Sequence, residues 1–123
     1  MAIKEKEKGR AVVLEPDADI SWRTQPELKN ALDELAAHGR RHIIIDLTRV
    51  REISGYGLGL LASRCARLRR LRGDVRLANA SGPVRRLLHV TNLDELFQLF
   101  DSTESAARSF TVMDRGGPDT EEE

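Results

Sequence analysis

The chain has 123 residues with one cysteine, and its 20 basic residues balance 20 acidic ones. The length suits a single domain whose core needs no disulfide or metal, one cysteine excludes an intramolecular disulfide, and zero net charge gives no global reason to expect nucleic acid or anionic membranes as partners. No apolar run could span a bilayer and the charged N-terminus lacks a signal core, so we expect a cytoplasmic protein without membrane insertion.

The first predicted elements are a hairpin and a helix. Residues 3–8 alternate lysine with glutamate, and residues 11–15 are mostly apolar. This pattern suits an exposed edge strand beside a buried one, although a frayed terminus would show it too. Thr24-Gln25-Pro26-Glu27 then has the form of a capping box, and apolar residues at helical spacing predict a helix that ends near His38.

The middle of the chain contains the clearest pattern. The segment His42–Leu47 is an apolar strand with an acid near its end, and its Ile43-Ile44-Ile45 run is hydrophobic on both faces. This predicts a central strand of a parallel sheet that is covered by helices. Ser54-Gly55-Tyr56-Gly57 then leads into a helix from about Gly57 to Leu71, closed by Gly73.

The remaining elements are shorter, and the last ten or so residues are polar. We predict a strand at 75–78, a brief helix at 84–88, a capped turn at 91–94 and a last helix that begins at 102–104. Residues 111–123 lack the apolar content to pack, which predicts a disordered acidic tail after a domain at 1–110. Alternating strands and helices indicate one small α/β domain with a mixed, mostly parallel sheet.

Few residues suggest catalysis. His38, His42 and His89 fall in unrelated elements, so no metal site is predicted. Ser54 lies on a strand-to-helix turn but lacks the glycine before it that a nucleophile elbow requires. The glycines that follow match neither a dinucleotide fingerprint nor a P-loop. We therefore expect no enzyme activity and no cofactor.

Two further residues have structural interpretations. Asp46 lies at the carboxyl end of the central strand, where a lone carboxylate more often accepts backbone hydrogen bonds than moves protons. Cys65 falls on the apolar helix face with Leu58, Leu61 and Leu68, which favours a buried, unreactive thiol.

The arginines between Arg64 and Arg86 are unevenly balanced. This segment contains eight arginines and only Asp74 as an acid, whereas the chain after Leu93 is rich in Asp and Glu. We favour the solvated side of an amphipathic helix over a basic docking surface. The segment has no aromatic residue for base stacking, so we do not expect nucleic acid.

Several motifs together resemble the STAS domain, the fold of bacterial anti-sigma factor antagonists. The resemblance covers about Ala11 to Phe110. It rests on the segments Asp46–Val50, Ile53–Leu61, Leu77–Leu88 and Leu93–Phe97, which match the family's Asp-Leu-Ser/Thr-x-Val strand end, its loop and helix start, and two later motifs. The resemblance implies a β/α sandwich.

It also implies a function. Members of the family bind an anti-sigma factor of the ATPase or Ser/Thr-kinase type, and phosphorylation of a serine at a helix N-terminus releases them. The partner-binding candidates here are Ser54, Gly55, Tyr56, Gly57 and Leu58, at the start of a binding segment that runs from 54 to 71. In this chain Gly55 occupies the position of the family's phosphorylated serine. Ser54 replaces the aspartate that precedes that serine, and Tyr56 replaces the small residue that follows it.

Because glycine has no hydroxyl, the usual phosphoswitch cannot operate at position 55. Constitutive binding is favoured, with phosphorylation of Ser54 or adaptation to another partner as alternatives. Ser54 is more simply an N-cap, and Tyr56 is either an exposed anchor or part of the sheet rim. Three further possibilities stay open. The chain could form a homodimer, it could have an accessory or scaffold role in a signalling or lipid-transport assembly, or its glycine loop could bind a nucleotide or an anion.

Overall fold

The computed structural model describes the backbone of residues 1–116 and the side chains of residues 1–110. Within this range one sheet contains the strands in the order β1-β2-β3-β4-β5. Only β1 runs antiparallel to its neighbour; the other adjacent pairs are parallel. The strands are β1 (Ile3–Lys8), β2 (Ala11–Pro16), β3 (His42–Asp46), β4 (Asp74–Ala78) and β5 (Leu99–Phe100). The predicted α/β class with a mixed, mostly parallel sheet is confirmed.

Helices cover both faces of this sheet. They are α1 (Gln25–Ala37), α2 (Gly55–Arg70), α3 (Gly82–Val90) and α4 (Thr103–Gly116). The side chains of Ile43 and Ile45 join a core with α1, α2 and α3, while Ile44 packs on the opposite face with α4. The apolar run of β3 is therefore buried on both sides, as its sequence predicts for a central strand.

The predicted hairpin forms, and β1 is the exposed edge. Its lysines and glutamates point to opposite faces because side chains alternate along a strand. Lys8 pairs with Glu104 of α4 at 2.8 Å, and Glu7 pairs with Arg40 at 2.7 Å on the other face. The hydrogen bond from Arg40 holds the pKa of the Glu7 carboxyl below its usual range.

The predicted capping box at the start of α1 is wrong, although the helix begins at Gln25 as expected. Thr24 makes no side-chain cap. Its hydroxyl donates to the carbonyl of Asp19 (2.6 Å) and accepts from the N–H of Ser21 (2.9 Å). The threonine thus stabilises the preceding loop, because hydroxyl groups compete for any nearby backbone partner.

The start of α2 differs from the sequence prediction, whereas its end agrees: Leu71 is the C-cap, and the N–H of Gly73 donates to the carbonyl of Leu68 (2.7 Å). The helix starts at Gly55, two residues earlier than expected. At its end the left-handed residue is Arg72 (φ 67°), and Gly73 does not supply a positive φ. A Cβ at Gly73 would lie 2.1 Å from the carbonyl oxygen of Arg41. Glycine is required there because two backbones approach closely.

The later elements lie where the sequence places them, except β5, a two-residue strand that was not predicted. α3 is longer than predicted, over Gly82–Val90. A 3₁₀ turn occupies Leu93–Glu95, where a capped turn was expected, but its N-cap residue Asn92 makes no side-chain cap. α4 continues to Gly116, past the boundary expected at residue 110. The rest of the predicted acidic tail, residues 117–123, lies outside the described residues.

One arginine of the basic segment is buried and does not belong to the solvated helix face that the sequence predicts. Arg76 lies on β4 with 0% of its surface exposed. Its guanidinium bonds the Asp74 carboxylate at 3.0 Å and lies 4.0 Å from the ring centroid of Phe110. A buried charge requires such a paired site, and Asp74 supplies it.

We expect Gly73→Ala to lower the free energy of unfolding by about 2 kcal/mol or more, because the added methyl meets the backbone of Arg41. Gly59→Ala is the matched control. No atom lies within 4 Å of a Cβ at Gly59, so that change should raise helix stability by about 0.5–1 kcal/mol. Urea denaturation measures both, and equal effects would contradict the close approach.

Candidate functional site

Two loops meet at the carboxyl ends of the parallel strands. The β2–α1 loop (residues 17–24) and the β3–α2 loop (residues 47–54) follow neighbouring strands. Parallel strands end at the same edge of a sheet, so the connections that follow them come together. The start of α2, where the sequence places the partner-binding candidates, is part of this junction.

Backbone and carboxylate hydrogen bonds join the two loops. The Asp19 carboxylate accepts from the N–H groups of Arg51 (2.8 Å) and Glu52 (3.2 Å). The N–H of Ile20 donates to the carbonyl of Glu52 (3.0 Å), and the N–H of Ser54 donates to the carbonyl of Ile20 (2.8 Å). The two loops therefore form one connected surface.

Gly57 lies at the closest point of this junction. Ile20 and Ile53 form a parallel bridge beside it. A Cβ at Gly57 would lie 2.6 Å from Cγ2 of Ile20 and 2.8 Å from Cγ2 of Ile53. The first turn of α2 can pack against the bridge only because residue 57 has no side chain.

Ser54 and Gly55 begin the helix in different ways. Ser54 is extended (φ −78°, ψ 171°), and its Oγ accepts a hydrogen bond from the N–H of Gly57 at 3.2 Å. This confirms the N-cap interpretation. Gly55 is exposed, and no atom lies within 4 Å of a Cβ built on it. A side chain at position 55 would project into open space.

Tyr56 is exposed and does not pack on the sheet rim: 70% of its surface is accessible. Gly57 and Leu58 are buried, and Leu58 belongs to the core around α1–α3. Of the five candidates, Ser54, Gly55 and Tyr56 are therefore the ones that a partner could touch directly. The other two hold the first turn of α2 in place.

Sequence reasoning missed Trp22. This residue of the β2–α1 loop is 63% exposed, and it lines a groove with Gln25 and Tyr56. The chain has one tryptophan and one tyrosine, and both border this groove. A lone tryptophan just before a predicted helix was a usable signal, but no periodicity placed it beside Tyr56.

Two other residues have the structural roles predicted for them. One carboxylate oxygen of Asp46 accepts from the N–H and hydroxyl of Thr48 (3.1 and 2.6 Å) and from the amide of Asn79 (3.1 Å). Cys65 is 0% exposed, and burial raises the pKa of its thiol to about 11.

In the described part of the chain, no three His, Cys, Asp or Glu side chains are grouped to hold a metal ion.

Comparison with known proteins identifies the fold and the family. The sequence model of the STAS domain matches residues 2–106. BtrV of Bordetella bronchiseptica, which is named as an anti-sigma factor antagonist, is 31% identical over 80 residues, covering 63% of this chain and 69% of BtrV.

Solved structures agree with this assignment. A protein of Thermotoga maritima described as an anti-sigma factor antagonist superposes with a TM-score of 0.82 at 23% identity, covering 87% of this chain and 92% of that one. An anti-sigma factor antagonist of Mycobacterium paratuberculosis gives 0.78 at 26% identity, covering 88% and 92%. The fold also matches a sulfate transporter family protein of Wolinella succinogenes (TM-score 0.70, 17% identity, 85% and 86% covered).

We expect Gly57→Ala to reduce the free energy of unfolding by about 1–3 kcal/mol, because its methyl would overlap Ile20 and Ile53. Gly55→Ala should change it by no more than about 0.5 kcal/mol, since that methyl meets open space. Thermal and chemical unfolding compare the two. A large loss in Gly55→Ala would show that position 55 is packed.

We expect Cys65 to resist thiol reagents in the folded protein at pH 8. Burial keeps the thiol protonated, with its pKa raised to about 11, and the side chain is fully covered. A colorimetric thiol assay should give no signal until denaturant unfolds the chain. Rapid labelling of the native protein would contradict this burial.

Proposed function

Since this chain belongs to the STAS domain family, we propose that it is a noncatalytic anti-sigma factor antagonist that binds its partner constitutively. The partner is a cytoplasmic anti-sigma factor of the ATPase or Ser/Thr-kinase type. The contact surface centres on Ser54, Gly55 and Tyr56 at the start of α2 and extends along the helix. The observation that carries this proposal is the exposed Gly55 with open space beside it.

The position of Gly55 explains why binding would be constitutive. Position 55 corresponds to the phosphorylated serine of the family that the motifs resemble. Glycine has no hydroxyl at this position to accept phosphate. A phosphate adds nearly two negative charges, which would disrupt a surface fitted to neutral contacts. Glycine keeps the surface permanently neutral at that point and leaves room for a partner group.

Ser54 carries the aliphatic hydroxyl nearest to this position along the chain. Its oxygen accepts the N–H of Gly57 and caps α2. Phosphorylation there would place the phosphate on a group that already stabilises the helix start. We therefore propose that Ser54 supports the binding surface and does not replace the missing serine as a switch.

A second candidate function is an accessory or scaffold subunit. The fold similarity to a sulfate transporter family protein supports this second candidate, because that protein has the same architecture and is not described as an antagonist. Within the residues that the structure describes, none of the helices has the length and apolar character needed to cross a membrane. Such a role would require assembly with other subunits, independent of ATP.

The proposal is tested by affinity capture from native extract with three immobilised baits: the wild type, Gly55→Asp and Gly82→Asp. The two variants are closely matched. Gly82 also follows an extended N-cap serine, opens a helix, and has no atom within 4 Å of a Cβ. Each variant therefore adds one carboxylate to the exposed start of a helix.

We expect the wild type and Gly82→Asp to retain an ATPase-type anti-sigma factor, and Gly55→Asp to lose most of it because the new charge lies inside the contact. Mass spectrometry identifies the retained proteins. Equal retention by all three baits would contradict the proposed surface. Retention of membrane or scaffold proteins in an ATP-independent manner would favour the second candidate.

A further inference from the structure

We propose that the groove between Trp22 and Tyr56 holds an apolar side chain of the anti-sigma factor, and that Arg23 binds an acidic residue next to it. This inference rests on the proposed function, and it extends the contact surface from α2 onto the β2–α1 loop. It identifies the partner segment by chemistry: an apolar anchor flanked by a carboxylate.

Trp22 is exposed on a loop whose backbone is held in place. The Thr24 hydroxyl donates to the carbonyl of Asp19 (2.6 Å) and accepts from the N–H of Ser21 (2.9 Å). The N–H of Gln25 donates to the carbonyl of Ser21 (2.7 Å). A large aromatic side chain on such a loop offers contact area at a small further cost in backbone entropy.

The groove is continuous with the surface proposed above. Tyr56 belongs to both, and the bonds of Asp19 and Ile20 join the loop of Trp22 to the start of α2. A partner that covers Gly55 would therefore meet Trp22 as well. Tryptophan and tyrosine are enriched among the residues that dominate binding energy, which fits this arrangement.

The charge beside the groove indicates what flanks the anchor. The guanidinium of Arg23 lies 5.3 Å from the ring centroid of Trp22. Among the described residues no carboxylate forms an ion pair with it. A cation held over an aromatic face without a counter-ion favours an acidic group on the partner.

Isolated exposed apolar side chains are ordinary on protein surfaces. Val90, at the end of α3, is 69% exposed and is not among the residues that line the groove of Trp22 and Tyr56. It serves as the control for Trp22, because both positions are comparably accessible but only Trp22 borders the groove.

The test is a competition experiment with the full chain. Immobilised wild type captures from native extract the protein that Gly55→Asp fails to hold, and soluble variants compete for it. We expect that displacing half of the captured protein takes an about 30-fold higher concentration of soluble Trp22→Ala than of soluble wild type. This factor corresponds to about 2 kcal/mol of binding free energy. Arg23→Glu should need about tenfold more, whereas Arg23→Lys and Val90→Ala should match wild type.

A photocrosslinker identifies the bound group. With p-benzoylphenylalanine in place of Trp22, the cross-linked segment of the captured protein should contain an apolar residue beside Asp or Glu. The same probe in place of Val90 should not reach that protein. A cross-linked segment rich in Lys or Arg would overturn the proposal.

The remaining outcomes separate the two proposals. If Gly55→Asp loses the captured protein but Trp22→Ala competes as well as wild type, the groove proposal fails and the α2 surface stands. If Gly55→Asp holds every protein that the wild type holds, the function proposed above fails, and the groove proposal fails with it.

Discussion

The close packing of Gly57 against Ile20 and Ile53 is the constraint on which the candidate site depends. Any side chain at position 57 would overlap the two isoleucines. Because this contact is possible, the first turn of α2 abuts the β2–α1 loop, and Asp19 can cap the N–H groups of Arg51 and Glu52. Two loops that are far apart in sequence thereby present one surface.

The sheet explains why the junction forms at this edge. β2 and β3 are parallel neighbours, so the loops that follow them leave the sheet side by side. The core on both faces of β3 holds these strand ends in position. By its resemblance to the family, Gly55 stands where the regulated serine would be. We propose that the STAS domain here keeps the contact region and lacks the switch.

Sequence patterns predicted the elements whose signals are local. The isoleucine run identified β3, and the motif around Ser54 located the start of α2 to within two residues. The predicted cap at Thr24 was wrong because its hydroxyl donates to the carbonyl of Asp19. The capping pattern in the sequence carries no information about that competing partner. The burial of Arg76 depends on Phe110, which lies 34 positions along the chain and on another element. Trp22 and Tyr56 meet only through the folded junction, so the groove could not be predicted from spacing.

The most direct test of the proposal that the switch is lost is the phosphorylation state of the protein in native extract supplied with ATP. Intact mass measurement, followed by peptide sequencing, compares the wild type with Gly55→Ser, which restores a hydroxyl where the structure leaves open space. The account predicts that Gly55→Ser gains phosphate at position 55 and that the wild type gains none between residues 50 and 60. Phosphate on Ser54 of the wild type would contradict constitutive binding and show that the switch has moved by one residue.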